Sequence, residues 1–233
     1  MGNRCELCDV QRSSMTDKVA VLSSGGLDSA VLIADYARKF QVFPVYVQAG
    51  LSWEAVELKA LRTFVKAIRS PNVRPITVLQ SPVAPLYGDH WSVTGKDVPQ
   101  ASEPDRTVYM PGRNILLICP TAVWCSINGV HRIATGSLNE NPFADATPEF
   151  FRSLGKTLSE GLEHDISVES PYSGLSKAEL IAENKGLPLH LTLTCIAPVD
   201  GRHCGRCSKC HERRLAFARA GVNDQTPYAA AEE

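Results

Sequence analysis

The sequence predicts an α/β fold in which helices cover both faces of a five-stranded parallel sheet. The chain has 233 residues, 44% hydrophobic and 21% charged, which suits one large domain or one domain with an appendage. Short β-branched runs alternate with stretches of helical length, and this alternation predicts strand–helix–strand units and a parallel sheet. Since ligands of such sheets bind at the carboxyl ends of the strands, we expect the functional residues to follow the strands.

Three strands are predicted in the first part of the chain. Val19–Leu22 is a short apolar run that favours a buried strand, and the apolar-rich stretch Ala30–Lys39 favours a helix. Val42–Val47 and Val73–Leu79 are rich in β-branched residues, as strands are. Between these two strands, Glu54–Ile68 places its apolar residues on one helical face.

The second part of the chain is predicted to add two strands. The polar segment Ser81–Thr107 is long for a loop inside a domain and predicts a functional lid or a disordered loop. The elements after it are a helix over Ile115–Ile127, a strand over Val130–Thr135, a helix over Pro148–Gly161, a strand over Ile166–Glu169 and a helix begun by the capping box Ser176–Glu179.

The turn after the first strand carries the strongest chemical signal. It runs from Ser23 to Ser29 as Ser-Ser-Gly-Gly-Leu-Asp-Ser, directly after Leu22. Small residues let the backbone curl and present its N–H groups, and the positive end of the next helix adds to them, so the turn suits phosphate or pyrophosphate. Asp28 and Ser29 begin the helix, where a carboxylate can hold magnesium and a hydroxyl can reach a phosphate oxygen.

An ordinary strand–turn–helix corner is the alternative for this turn, but the full string is more specific than a Gly-Gly pair. It lacks the endings of the common nucleotide and dinucleotide loops. It resembles the pyrophosphate loop of the ATP pyrophosphatases, enzymes that split ATP into AMP and pyrophosphate to activate a substrate. The nucleotide contacts suggested here are Leu22, Ser23, Ser24, Gly25, Gly26, Leu27, Asp28 and Ser29.

Four cysteines near the carboxyl end are the second strong signal. Their spacing is C-x8-C-x2-C-x2-C, through Cys195, Cys204, Cys207 and Cys210. Four thiolates can bind one zinc ion tetrahedrally with no open position, so we expect a structural zinc site that fixes the carboxyl-terminal segment. Four unrelated free thiols are the alternative, as is a site in which His203 or His211 replaces one cysteine.

Composition limits the compartment and the partners. The formal net charge is -1, so nothing global argues for a nucleic acid partner. No apolar run is long enough to span a bilayer, and we expect a cytoplasmic protein with no membrane partner. The eight cysteines then indicate metal binding or free thiols. We expect an extension over residues 1–16, an α/β domain over 17–190 and a zinc-binding segment and tail over 191–233.

With both signals in place, the chain resembles the 7-cyano-7-deazaguanine synthase family from about Met15 to Asp224. Besides the turn and the cysteines, the resemblance is carried by Pro111-Gly112-Arg113-Asn114, Thr135-Gly136, Asn139-Glu140, Pro148-Glu149-Phe150 and Leu175-Ser176-Lys177-Ala178-Glu179. It implies a Rossmann-like, adenine nucleotide alpha hydrolase-like fold, a homodimer, and ATP, Mg²⁺ and Zn²⁺ as cofactors. It also implies a ligase that adenylates a small carboxylic acid and couples it to ammonia.

The matching positions suggest roles for individual residues. The catalytic candidates are Asp28, Ser29, Arg113 and Lys177, of which the last two would neutralise phosphate or carboxylate charge. Further nucleotide contacts are expected at Gly112, Arg113, Asn114 and Gly136, and contacts to the acid at Asn139, Glu140 and Asp145.

Two segments depart from the family pattern. Asn141–Thr147 is short and lacks the family's two tyrosines, cysteine and arginine, and Gln48–Leu51 replaces a Tyr-Gly-Gln-type segment. The acid therefore stays open: it is 7-carboxy-7-deazaguanine, or another carboxylate such as a protein terminus, and the product is an amide or a nitrile. A tRNA-thiolating enzyme, supported by the basic tail and by Cys5 and Cys8, and a non-catalytic nucleotide-binding subunit are the remaining alternatives.

Overall fold

The computed structural model describes residues 17–229 and is built on a five-stranded sheet. The strands are β1 (Lys18–Leu22), β2 (Gln41–Gln48), β3 (Thr77–Gln80), β4 (Arg132–Ala134) and β5 (Ser167–Glu169). Neighbouring strands are all parallel, in the order β3-β2-β1-β4-β5. The predicted α/β fold with its parallel sheet is confirmed. The winding reverses between β1 and β4, and a cleft forms where strand order reverses in this way.

Eight α-helices occur within the described part of the chain. They are α1 (Leu27–Tyr36), α2 (Glu54–Ile68), α3 (Ala84–Tyr87), α4 (Trp91–Thr94), α5 (Arg113–Asn128), α6 (Pro148–Leu162), α7 (Lys177–Glu183) and α8 (Ser208–Ala220). Short 3-10 turns lie at Asp105–Val108, Ala144–Ala146 and Leu189–Leu191. None of the helices in residues 17–229 has the length and apolar character that crossing a bilayer requires.

The two faces of the sheet carry different helices. Because side chains alternate along a strand, Val19 and Val21 of β1 pack in a core with α1, α2, α7 and α8. Ala20, between them, packs on the opposite face with α5 and α6. A third apolar cluster joins the cysteines to Trp53 and to residues of the segment 81–110. The carboxyl-terminal cysteine segment is therefore packed directly against the parts of the chain that follow β2.

Three parts of the chain differ most from the prediction. The third strand begins at Thr77 because Pro75 has no N–H for the ladder, and Val73 forms only an isolated bridge to Val42. The segment predicted as a lid or a disordered loop contains α3 and α4, and Trp91 of α4 stacks on Trp53 at 5.7 Å between ring centroids. Helix α8 had no sequence prediction. The predicted extension over residues 1–16, with Cys5 and Cys8, lies outside the described residues.

Candidate active site and metal centre

A cavity of about 650 Å³ opens at the carboxyl ends of β1, β2 and β4. The predicted site residues that line it are Leu22, Ser23, Ser24, Gly26, Asp28, Ser29, Arg113, Asn114, Gly136, Glu140, Asp145 and Lys177. The other four predicted residues, Gly25, Leu27, Gly112 and Asn139, do not line it. Leu27 is buried in the core, and Asn139 is exposed. The topology thus brings most of the predicted positions, which are far apart in sequence, to one concave surface.

Serine hydroxyl groups in the turn between β1 and α1 form hydrogen bonds with the backbone of the same turn. Ser29 Oγ accepts a hydrogen bond from the Ser24 N–H at 3.2 Å and donates one to the Gly26 carbonyl at 3.2 Å. Ser24 Oγ accepts from the Gly26 N–H at 3.2 Å. The first bond within α1 runs from the Ala30 N–H to the Gly26 carbonyl at 3.1 Å, so the three preceding N–H groups have no intrahelical partner. N–H groups of this kind, at the positive end of a helix, are suited to bind an anion.

Glycine is required at Gly25, which has a φ of +78°. A Cβ there would lie 2.5 Å from the backbone oxygen of Glu57. Gly25→Ala is therefore expected to lower the free energy of unfolding by about 2 kcal/mol or more, measured by urea denaturation. Gly161→Ala is the matched control, because a Cβ on this α6 residue would meet no atom within 4 Å. It should be neutral or stabilising by up to about 1 kcal/mol, and equal losses at both positions would contradict the packing.

Four charged side chains meet beside the turn. Lys177 Nζ donates to Glu212 Oε1 and lies 3.5 Å from Asp28 Oδ2. Lys209 Nζ donates to the other oxygen, Glu212 Oε2, at 2.6 Å. Burial raises the pKa of Asp28, and Lys177 offsets only part of this effect. Burial alone would lower the pKa of Lys177, but Asp28 and Glu212 outweigh it and raise the value above its usual range.

Lys177 is also held through its backbone. It is the first residue of α7, and its N–H donates to Glu140 Oε2 at 3.2 Å. The predicted capping box is present: Ser176 Oγ accepts from the Glu179 N–H at 3.3 Å, and Glu179 Oε2 accepts from the Ser176 N–H at 2.8 Å. Glu140, expected to contact the acid, therefore also stabilises the start of α7.

The start of α5 forms another wall of the cavity. Asp145 Oδ2 accepts from the Asn114 N–H at 3.1 Å, and the Asp145 carbonyl accepts from Asn114 Nδ2 at 2.8 Å. Arg113 precedes this pair, and its Nε is buried without a hydrogen-bond partner among the described residues. The guanidinium of Arg113 consequently retains a donor for an anionic ligand, as its predicted role requires.

Sequence reasoning missed a buried carboxyl group, Glu57, at the cavity wall. Glu57 Oε2 accepts from the Tyr46 hydroxyl at 2.9 Å. Burial raises the pKa of Glu57 to about 7, although Arg113 and Tyr46 oppose the shift. The available signal was an acidic residue at helical spacing from two buried apolar residues, Leu61 and Phe64.

This shift predicts a pH-dependent contribution to stability. The pKa of Glu57 rises from 4.5 to about 7 in the folded chain, so folding favours the protonated form. The contribution is fully present below about pH 4.5 and is lost as the pH rises through about 7. Glu57→Gln mimics the protonated group and should match the wild type at about pH 4 but exceed its free energy of unfolding by roughly 3 kcal/mol at about pH 8. Glu160→Gln, on the exposed face of α6, is the control. A difference between Glu57→Gln and wild type that does not change with pH would contradict the assignment.

The four carboxyl-terminal cysteines form one cluster. Their Sγ atoms all lie within 4.8 Å of one another, and the set contains neither His203 nor His211. The Sγ atoms of Cys195 and Cys207 are 3.9 Å apart, as are those of Cys204 and Cys210. Tetrahedral zinc, with Zn–S bonds of about 2.3 Å, requires sulfur atoms separated by about 3.8 Å. The residues therefore fit a structural zinc ion.

Backbone N–H groups surround the sulfur atoms. Cys195 Sγ accepts from the Cys204 N–H at 3.2 Å, and Cys204 Sγ accepts from the Cys207 N–H at 3.3 Å. Such bonds stabilise thiolate charge and orient metal ligands. His203 Nε2 instead accepts from the Thr194 N–H at 3.1 Å, and burial lowers the pKa of His203 to about 3. His203 is thus a neutral packing residue beside the cluster.

Residues 18–221 match the family model described as queuosine biosynthesis protein QueC. The chain belongs to the QueC family. Two relatives of this QueC-family chain are called 7-cyano-7-deazaguanine synthase. The one from Azoarcus sp. is 32% identical over 93% of this chain and 100% of its own length. The one from Xylella fastidiosa is 33% identical over 91% of this chain and 95% of its own. The family resemblance predicted from the motifs is confirmed.

Among solved structures, a U34-tRNA thiolase from Methanococcus maripaludis is similar with a TM-score of 0.48 and 14% identity, over 87% of this chain and 65% of that one. This distant similarity carries no conclusion about function.

Both segments that depart from the QueC pattern lie at the cavity. Phe143, in the short segment after β4, lines the cavity and packs on Tyr109 with ring centroids 5.0 Å apart. After β2, the N–H groups of Ala49 and Gly50 donate to the buried carboxylate of Glu54. Residues of both departing segments therefore contribute to the wall of the cavity.

Proposed function

We propose that this chain is an ATP-dependent ligase that adenylates a carboxylate and couples it to ammonia. We further propose 7-carboxy-7-deazaguanine as the acid and 7-cyano-7-deazaguanine as the product. The observation that carries the proposal is the complete Ser23–Ser29 turn, which lines the cavity of a QueC-family chain. The name of the relatives supports the choice of acid. A cytoplasmic homodimer is part of the proposal and rests on the family resemblance.

The reaction begins with attack of the carboxylate on the α-phosphorus of ATP, which releases pyrophosphate and leaves an acyl adenylate. Ammonia then attacks the acyl carbon, AMP leaves with the electron pair of the C–O bond, and a proton goes to solvent. The product of this step is an amide. A second ATP activates the amide oxygen in the same way and releases pyrophosphate, and loss of AMP and of both N–H protons to solvent gives the nitrile.

The residues of the turn act on the leaving group. The N–H groups at the start of α1 stabilise the negative charge that grows as pyrophosphate departs. Arg113 and Lys177, which both line the cavity, supply positive charge to phosphate or carboxylate oxygens. A magnesium ion bound here would supply Lewis-acid stabilisation of the phosphate charge. Asp28 fits this ion because its Oδ1 is buried without a hydrogen-bond partner in the described part of the chain.

A different acid is the second candidate, and a specific observation favours it. The wall formed by Asn141, Pro142, Phe143 and Asp145 lacks the polar residues usual in the family. If those residues recognise the deazaguanine ring, this chain amidates another carboxylate with the same activation chemistry.

The test combines two measurements on the purified chain with ATP, magnesium and ammonium. Acid-dependent exchange of labelled pyrophosphate into ATP reports adenylation, and mass spectrometry of the products distinguishes amide from nitrile. We expect 7-carboxy-7-deazaguanine to stimulate exchange and to yield the nitrile. Stimulation by other acids alone would favour the second candidate. The absence of pyrophosphate exchange with every acid tested would overturn the proposal that the chain is a ligase.

A further inference from the structure

Helix α8 links the cysteine cluster to the cavity. Its N-cap is Cys207 and its first turn contains Cys210, so the metal site determines where the helix starts. Further along the helix, Glu212, Leu215 and Arg219 line the cavity. Because α8 begins at the cysteine cluster, the position of the cluster determines where the carboxylate of Glu212 lies in the cavity.

The carboxylate of Glu212 is placed to fix one particular ammonium group. Glu212 Oε1 accepts from Lys177 Nζ, while Oε2 accepts from Lys209 at 2.6 Å. Asp28 Oδ2 occupies a second direction around Lys177 Nζ, at 3.5 Å. An ammonium has three donors, so this arrangement leaves one donor for a ligand. The side chain of Lys177 is only 10% exposed, which limits other positions for its ammonium.

We propose that Glu212 is a positioning residue, which holds the ammonium of Lys177 beside the Ser23–Ser29 turn. The inference rests on the proposed function, in which Lys177 acts on the phosphates of ATP. Glu212 touches no reacting atom and acts through Lys177. Lys209 in turn helps to position Glu212, because its ammonium donates to the second carboxylate oxygen of Glu212.

The net charge of this group of side chains distinguishes a positioning role of Glu212 from a role in binding ATP. Asp28 and Glu212 together carry two negative charges, which balance the positive charges of Lys177 and Lys209. Removal of the Glu212 charge leaves the group with a net positive charge, which attracts a polyanion. The ground-state affinity for ATP should therefore not fall when the charge of Glu212 is removed, whereas the position of the Lys177 ammonium in the transition state is lost.

Glu212→Gln tests the inference because it keeps the size of the side chain. We expect kcat for acid-dependent pyrophosphate release to fall about tenfold or more, with Kd for ATP by titration calorimetry unchanged or lower. Zinc content should match the wild type, and the melting temperature should fall by only a few degrees, because the ion pairs of Glu212 with Lys177 and Lys209 are lost. Glu212→Asp should recover only part of kcat, because the shorter carboxylate cannot reach both lysines. Glu183→Gln, on the exposed face of α7, is the control. Unchanged kcat in Glu212→Gln would overturn the inference, as would a loss of zinc or melting temperature that accounts for the lower rate.

Lys177→Gln and the double variant separate this inference from the proposed function. Lys177→Gln should lower kcat at least as much as Glu212→Gln does, and the double variant should be no slower than Lys177→Gln alone. Full turnover in Lys177→Gln would overturn the role of Lys177 in the proposed function. Loss of turnover in Lys177→Gln together with full turnover in Glu212→Gln would overturn the inference alone.

Discussion

Asp28→Asn is expected to abolish acid-dependent pyrophosphate release, with a loss of about 100-fold or more in kcat. The change removes the carboxylate that fits magnesium and one of the two negative charges beside Lys177. The stability of the folded chain should not decrease. Because burial raises the pKa of Asp28, its charged form is disfavoured by folding, and the neutral amide should leave the melting temperature unchanged or higher. Pyrophosphate release and thermal unfolding measured on the same preparation check both statements.

Asp165→Asn is a suitable control for this substitution. Asp165 is exposed and precedes β5, away from the cavity lining. It should change neither pyrophosphate release nor the melting temperature. Full turnover in the purified Asp28→Asn chain would exclude the role of the turn in handling pyrophosphate.

Cys204→Ser is expected to have the largest effect on stability. It removes one of four thiolates from the cluster and breaks the bonds that Cys204 Sγ accepts from Cys207 and Arg206 N–H groups. Structural zinc contributes about 10 kcal/mol or more to folding, which is comparable to the whole stability of a typical domain. The variant should bind less than one zinc ion per chain and should unfold at a temperature lower by about 10 °C or more. Elemental analysis and thermal circular dichroism measure the two quantities.

Cys119→Ala separates loss of a metal ligand from loss of a thiol. Cys119 is a half-buried cysteine of α5 that does not belong to the cluster. Its replacement should preserve zinc content and cost at most about 1 kcal/mol of stability. A Cys204→Ser chain that keeps a full zinc ion and the wild-type melting temperature would rule out the structural zinc site.

Local sequence patterns predicted most of the helices and strands. Helix α2 has the predicted bounds because its apolar spacing and its flanking residues agree. Helix α8 escaped detection because most of its residues are polar or charged, and its position depends on the cysteine cluster and on Arg213. The buried guanidinium of Arg213 donates to the Leu189 carbonyl at 2.8 Å and to Thr192 Oγ1 at 3.0 Å. Such long-range contacts leave no periodicity in the sequence.

The residues of the candidate site likewise fall into those that the sequence predicted and those that it did not. The turn and the cysteines are contiguous or nearly so, and their residue types are unusual enough to indicate their chemistry. Glu57 and Glu212 gain their significance only from neighbours far away in the sequence, such as Arg113 and Lys177. A single acidic residue in a helix is ordinarily a solvated one, so the sequence offered no reason to select either.

The segment Asn141–Thr147 has a consequence for attempts to redesign substrate choice. Asp145 accepts from the backbone at the start of α5, and Thr147 Oγ1 accepts from the Phe150 N–H at the start of α6. Replacing Asn141–Thr147 with the segment that the family pattern implies would remove two helix caps at about 1 kcal/mol each, unless the new segment supplies its own. Under the proposed function, the seven positions that would contact the acid also contain the two helix caps, so a library that varies them should keep Asp145 and Thr147 constant.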